Sequence, residues 1–475
     1  MTATTITFLG GARTVTGSRF LVEHQGRRVL VDAGLFQGLK ELRLRNWAPF
    51  GVPPGDLDAV VLTHAHLDHC GYLPRLVTGG YHGDVWCTDG TADLAAIVLP
   101  DSGRLQEEEA DFANRVGYSK HRPALPLYTE QEAVSTLGAL HPAPFAHPVE
   151  VAPGTTATLR PAGHILGSAT VTLALDGGPT IVFSGDLGRP QHPLLVPPAP
   201  VGDADWVVVE STYGDRVHDD AHLADTLAAV IERTVARGGV VIIPAFAVDR
   251  TEVLLHHLGR LARAGRLPDV PVYVDSPMAL AALGVYRTAV AGGAPDVRPE
   301  VAAGPDPFAA SHLVAVPDVE GSKRLTASTE PAVIVSASGM ATGGRVVHHL
   351  VAKLPDPRTT VLFPGFQAEG TRGRTLVEGA REVKMLGQYV RVRAEVVHLP
   401  AFSVHADAPE LLAWLRTASP QLRGVFVVHG EERAARQLAG RIDADLDVLA
   451  AVPAPGERVR LEGRPAHGGR GARRG

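Results

Sequence analysis

The stretch VVLTHAHLDHCGYLP, residues 60–74, carries His64, His66, Asp68 and His69 within six positions. Imidazole and carboxylate groups at that density suit a divalent metal, and zinc above all. In an extended segment, residues two apart point the same way, so His64 and His66 can reach one ion. Asp68 and His69 follow where the chain turns, and can face a second ion. Cys70, next to them, is read as a packed residue.

A metal centre that activates water needs more ligands than this. PAGHILGSA places His164 among glycines, IVFSGDLG places Asp186 after an apolar run, and VFVVHGEE places His429 before Gly430. A single His or Asp after a strand serves equally well as a turn or cap residue. These three gain weight only because the first cluster requires partners.

The elements that must position them are legible as alternating patterns. TITFLGGA, RRVLVDAG, DAVVLTHAH and TIVFSGDLG are short runs rich in Val, Ile, Leu and Thr, and read as strands. Residues 91–99 and 130–140 read as helices between them. This predicts a layered sheet-and-helix domain with its chemistry on strand-end loops. From about Asp205 the pattern changes. DWVVVEST, GGVVIIPAF, VPVYVDSP, PAVIVSAS, TTVLFPGF and RGVFVVHG are near-continuous apolar runs, with helical stretches over 224–237 and 251–264. Such alternation indicates parallel βαβ units. Residues 291–330, rich in Gly, Pro and Ala, read as a long surface excursion.

At 475 residues the chain is long enough for two or three domains. Its 45% apolar and 20% charged residues are those of a globular protein. No apolar run approaches membrane-spanning length. The start, MTATTITFLGG, carries no basic segment followed by a long apolar one, so no secretion signal is expected. Two cysteines, Cys70 and Cys87, argue against a disulfide scaffold and fit a reducing cytoplasm. The net charge of −6 gives no overall attraction to nucleic acid, so any anionic substrate must meet local positive charge. Only five of the 45 basic residues are lysine, and arginine forks suit phosphate. The basic stretch GRPAHGGRGARRG, from Gly463, is expected to be a disordered tail.

Taken in order, VDAGLFQG, THAHLDH, AGHILGSA and FSGDLG resemble the four motifs of the metallo-β-lactamase fold. VVVESTYGDR, FSVHAD and VVHGE resemble motifs A, B and C of its β-CASP branch of RNA- and DNA-processing nucleases. PAFAVDRTEVLL, VYVDSPMA, SASGMATGGRVVHHL and GFQAEGTRGR are similar to stretches of the inserted domain in β-CASP ribonucleases. The likeness runs from about Thr5 to Val452. It implies an α/β architecture, a metallo-β-lactamase αββα sandwich with an inserted β-CASP domain built on a mostly parallel sheet flanked by helices. The implied division is 1–210 and 398–462 for the sandwich, 211–397 for the insert and 463–475 for the tail.

The resemblance also implies roles. His64, His66 and His164 would bind one zinc, and Asp68, His69 and His429 another. Asp186 would bridge the two, and Asp32 would orient ligands from behind. Two such ions can share a hydroxide and clamp a phosphate, with Asp68 counted among the catalytic groups. His405 is the candidate proton donor, with Glu210 beside it to favour imidazolium. A histidine at motif C, His429, accompanies RNA-processing members, so the expected partner is single-stranded RNA in an interdomain cleft. Arg250, Arg345, Arg372 and Ser403 could grip its backbone, and the loop starting at Ser336 could present N–H groups to phosphate. The expectation is a zinc-dependent ribonuclease, endonucleolytic because little chain follows motif C, and compatible with a homodimer. The rival readings are a small-molecule ester, thioester or phosphodiester hydrolase on the same metal core, and an inactive scaffold subunit of an RNA-processing complex.

Overall fold

The computed structural model describes residues 3–463 except 118, 220–221 and 310–311. Of the expected basic tail, 463–475, residues 464–475 lie outside the described residues. Two seven-stranded sheets face each other. The first has the order Arg458–Leu461, Thr4–Gly10, Arg19–His24, Arg27–Val31, Ala59–Val61, Asp84–Cys87, Leu140–Pro142. The second has the order Ala450–Ala451, Gly424–Val427, Trp206–Val209, Thr180–Phe183, Ala169–Leu175, Thr155–Pro161, Val149–Ala152. Their inner faces share one core, with Phe8 against Phe426 at 5.1 Å and Phe20 against Phe183 at 5.9 Å between ring centroids. Thr4–Gly10 alternates buried and half-buried positions, the period-two pattern of a strand with one face on the core.

Helices cover the outer faces. Ala408–Leu415 and Glu432–Leu446 pack their apolar sides on the second sheet. The chain leaves that sheet at Val209 and re-enters it at Gly424, in parallel register beside the strand it left. In between, it builds a six-stranded parallel sheet, ordered Leu313–Ala315, Val272–Val274, Ala332–Ser336, Val240–Pro244, Thr360–Phe363, Glu395–His398. The central strands Val240–Pro244 and Ala332–Ser336 are buried along their whole length, as a sheet covered on both faces requires. The flanking helices Leu223–Ala236 and Arg250–Arg263 agree with the sequence expectation to within one residue at each end.

Three local expectations are corrected. The helix expected over 91–99 runs from Asp89 to Val116 and passes through Pro100, the residue at which a sequence reading stops it. The helix expected over 130–140 ends at Thr136, and Leu140 already belongs to a strand. Residues 291–330 are no bare excursion: they hold helices Pro299–Ala302 and Val319–Ala327 and the edge strand Leu313–Ala315. The four-residue helix and the three-residue strand are too short to show a period in an Ala- and Gly-rich background. No described helix is long and apolar enough to cross a membrane.

Candidate metal centre

The candidate ligands sit just beyond strand ends. Asp32 follows Arg27–Val31, His64 follows Ala59–Val61, Asp186 follows Thr180–Phe183, and His429 follows Gly424–Val427. His66 caps the short helix Leu67–Cys70, which carries Asp68 and His69. His164 lies in the loop after Thr155–Pro161. Two glycines let these loops close in. A Cβ on Gly34 would stand 1.7 Å from the Asp68 carbonyl oxygen, and one on Gly188 1.8 Å from the Gly163 oxygen, beside His164. No other residue fits either place.

One group of donor atoms forms a tight cage. His64 Nε2 lies 3.2 Å from His66 Nδ1, which lies 3.3 Å from His164 Nε2. Asp186 Oδ2 stands 3.4 Å from His64 Nε2 and 3.5 Å from His164 Nε2. A tetrahedron of ligands about 2.0–2.1 Å from zinc has edges of roughly 3.3–3.4 Å. The other oxygen of Asp186 faces a second group. Oδ1 lies 3.1 Å from His69 Nε2 and 3.3 Å from His429 Nε2, and Asp68 Oδ2 is 3.8 Å from His429 Nε2. His69 Nε2 and Asp186 Oδ1 are buried without a hydrogen-bond partner, an expensive condition unless a cation occupies the space between them.

The surroundings fix the rings. Asp32 Oδ2 accepts from His69 Nδ1 at 2.7 Å, and its carboxylate also accepts from the Thr63 N–H and hydroxyl. Ser18 Oγ lies 2.8 Å from His429 Nδ1. Each contact leaves the opposite nitrogen, Nε2, facing Asp186. Burial pushes the pKa of His64, His66 and His164 below the ordinary imidazole value and that of His429 down to about 3. They are therefore neutral at pH 7, the form that offers a lone pair. Burial opposes charge on His69 too, but the Asp186 and Asp32 carboxylates outweigh it and raise its pKa. Burial likewise disfavours the Asp186 carboxylate, yet His429, His69 and His64 hold its pKa well below the usual range. Negative charge that would hold a proton between these groups attracts a metal ion equally.

Family models match three parts of the chain. One for the metallo-β-lactamase superfamily covers residues 13–226, one for the β-CASP domain 251–376, and one for a Zn-dependent metallo-hydrolase RNA specificity domain 389–453. Ribonuclease TTHA0252 of Thermus thermophilus is 39% identical over 424 residues, 89% of this chain and 92% of that protein. The chain belongs to the β-CASP family of the metallo-β-lactamase superfamily. Transcription termination factor FttA of Methanosarcina mazei is 33% identical over 468 residues, 96% of this chain and 71% of that protein. A solved structure, a protein of unknown function from Enterococcus faecalis, aligns with a TM-score of 0.52 at 14% identity, over 97% of this chain and 100% of that one, a likeness of fold. With this family and this donor set, the protein is a metal-dependent hydrolase.

Beside these donor groups, Glu210 is fully buried. Its Oε1 accepts from Leu187 N at 2.7 Å and stands 3.1 Å from His405 Nδ1. Burial opposes a proton on His405, but Glu210 and Asp186 outweigh it and raise its pKa. His405 Nδ1 is 3.9 Å from Asp186 Oδ2, so the pair borders the metal cage. Ser403 is buried there, and its oxygen accepts from His405 N at 3.3 Å. Arg250 is also buried, with its guanidinium over Gly365 and its Nε and Nη1 unpaired among the described residues.

The side chains of the remaining residues expected to touch RNA make hydrogen bonds within the protein. Ser336 is buried and donates to the Asp275 carbonyl at 2.8 Å. Arg345 spends its donors on Asp275 Oδ1 and the carbonyls of Val316 and Pro317. Arg372 donates to the carbonyls of Lys384, Ala341 and Thr342. Conversely, Ser18, Thr63 and Phe246 escape a sequence reading. Phe246 is 36% exposed with its ring 6.2 Å from that of His66, an aromatic face at the edge of the centre. Its position inside the quoted PAFAVDRTEVLL run is the only sequence signal it carries. Cys70 is buried and donates to the Ala65 carbonyl at 3.3 Å, a packed residue.

Proposed function

We propose that this protein is a zinc-dependent ribonuclease that hydrolyses phosphodiester bonds of single-stranded RNA, with two zinc ions per chain. The observation that carries the reading is the division of Asp186 between two donor groups, with the Glu210–His405 pair at their border. In this reading His64, His66 and His164 hold one ion, Asp68, His69 and His429 the other, and Asp186 both. When bound, the ions supply a water nucleophile at neutral pH and neutralise charge on the phosphate.

The chain's own residues do the rest. Asp32 and Ser18 orient His69 and His429. Asp68 would hold the second ion, and as a half-buried side chain it can orient the attacking water. Glu210 favours the protonated form of His405, whose Nε2 can then give a proton to the leaving oxygen. Arg250, buried and with free donors, meets the scissile phosphate or its neighbour, with the Ser403 hydroxyl close by. Phe246 offers a face on which a base can stack. The RNA would lie between the sandwich, 1–210 with 398–462, and the insert, 211–397. The model match to an RNA specificity domain and the ribonuclease among the relatives favour RNA over a small ester.

The test is cleavage of a labelled single-stranded RNA alongside a panel of small esters and thioesters. The account expects zinc-dependent RNA cleavage, and mapping the product ends would reveal internal cuts. Rapid ester turnover with intact RNA would reverse it. Full zinc occupancy with no cleavage of any RNA would favour the scaffold reading.

A further inference from the structure

The loop that carries His164 is held from two sides. From the sandwich, the hydroxyls of Thr88 and Thr91 donate to the Gly167 carbonyl at 2.6 and 2.9 Å. From the insert, its N–H groups find their acceptors. Leu166 N donates to Tyr286 Oη at 3.0 Å, and Gly167 N donates to Asp296 Oδ2 at 2.6 Å. Tyr286 lies on helix Pro277–Gly292 and donates its own proton to Asp249 Oδ1 at 2.7 Å. The other oxygen of Asp249 lies 3.1 Å from His192 Nε2. Tyr286, Asp249, Asp296 and His192 are all buried. A buried N–H must have a partner, so the loop cannot keep this shape once these acceptors are gone.

Asp249 is the node of the chain. It adopts a strained positive-φ conformation, φ 64° and ψ −49°, at the start of helix Arg250–Arg263. A non-glycine residue pays for that geometry only where surrounding contacts enforce it. The same turn sets the start of the helix from which Arg250 departs.

We propose that Tyr286 and Asp249 are positioning residues for the metal centre. Through the Leu166 N–H they fix the loop of His164, so zinc affinity at that site and turnover depend on how the insert seats against the sandwich. This rests on the reading above that His164 is a ligand.

The experiment uses the full chain and compares wild type, Tyr286→Phe and His164→Ala. Zinc affinity is measured by competition with a chelator, and kcat and KM on a labelled single-stranded RNA. For Tyr286→Phe the expectation is zinc held roughly tenfold more weakly, the low end of what outer partners of metal ligands contribute. The kcat should fall, KM should stay, and excess Zn2+ should restore the rate, which a purely structural defect would not allow. Wild-type zinc affinity and kcat in Tyr286→Phe, with zinc lost in His164→Ala, would overturn the inference and leave the site reading standing. Wild-type zinc affinity in His164→Ala would overturn the site reading and the inference with it. Should Tyr286→Phe not fold, Asp249→Asn replaces it, since one amide oxygen cannot serve both Tyr286 and His192. Wild-type zinc affinity in folded Asp249→Asn would overturn the inference equally.

Discussion

Glu210 and His405 are 195 positions apart in the chain and 3.1 Å apart in the fold. The carboxylate is fully buried, and its Oε1 also accepts from the Leu187 N–H. A buried carboxylate held this way favours the charged form of the neighbouring ring and fixes its orientation. Replacing His405 with Ala should lower kcat on RNA by about 10²–10³, within the range for loss of a general acid, while zinc content stays at the wild-type level. Loss of zinc together with rate would make His405 a ligand in place of a proton donor.

Asp32 contacts His69 Nδ1 at 2.7 Å and is proposed to act through it. Asp32→Asn should weaken zinc binding about 10–100-fold, as outer partners of metal-bound histidines generally do. Chelator competition reads this directly. Unchanged affinity would reduce Asp32 to a turn residue that serves the Thr63 N–H.

Ser336, Arg345 and Asp275 form a structural set. Asp275 is buried and takes bonds from Ser322, Arg345 and His349. Asp275→Asn should cost roughly 2–3 kcal/mol of stability, the scale of a lost charged hydrogen bond. RNA affinity and its salt dependence should not move. Arg250→Ala should do the opposite, weakening RNA binding and lowering the slope of log affinity against log salt by about 0.7, as one lost phosphate contact on a single strand would.

Much of this candidate site was legible because most of its candidate ligands follow apolar strand-like runs, where a His or Asp is conspicuous. THAHLDH, Asp186 and His429 are such cases, while His164 stands among glycines. The supporting contacts were not legible, because a hydroxyl such as Ser18 gains its role from a partner 411 positions away. Nothing in the sequence sets Phe246 apart from Tyr286, and only the fold separates the exposed one from the buried one. The three arginines looked alike in glycine-flanked loops. Which of them has free donors is decided by carbonyls that the insert brings near. The strand Leu313–Ala315 escaped notice because three residues cannot display a period.

Glu252 is fully buried, and neither carboxyl oxygen has a partner among the described residues. Burial first, and Asp249 next, push its pKa well above the ordinary value. Above the unfolded value of about 4.3, the unfolded state releases a proton that the folded state keeps, so this group subtracts stability as pH rises. Glu252→Gln should therefore raise the melting temperature at pH 7 and leave it nearly unchanged near pH 4. Equal effects at both pH values would mean that the carboxyl is ionised in the fold.

The central claim is that Asp186 joins two metal sites that cleave RNA. Its most direct test is Asp186→Ala, assayed for zinc per chain and for single-turnover cleavage of a labelled single-stranded RNA. The account predicts two zinc ions per chain and cleavage in the wild type. In the variant it predicts depleted zinc and a rate down by at least about 10³, as expected when an electrostatic anchor of the transition state is removed. Wild-type cleavage by Asp186→Ala would contradict it.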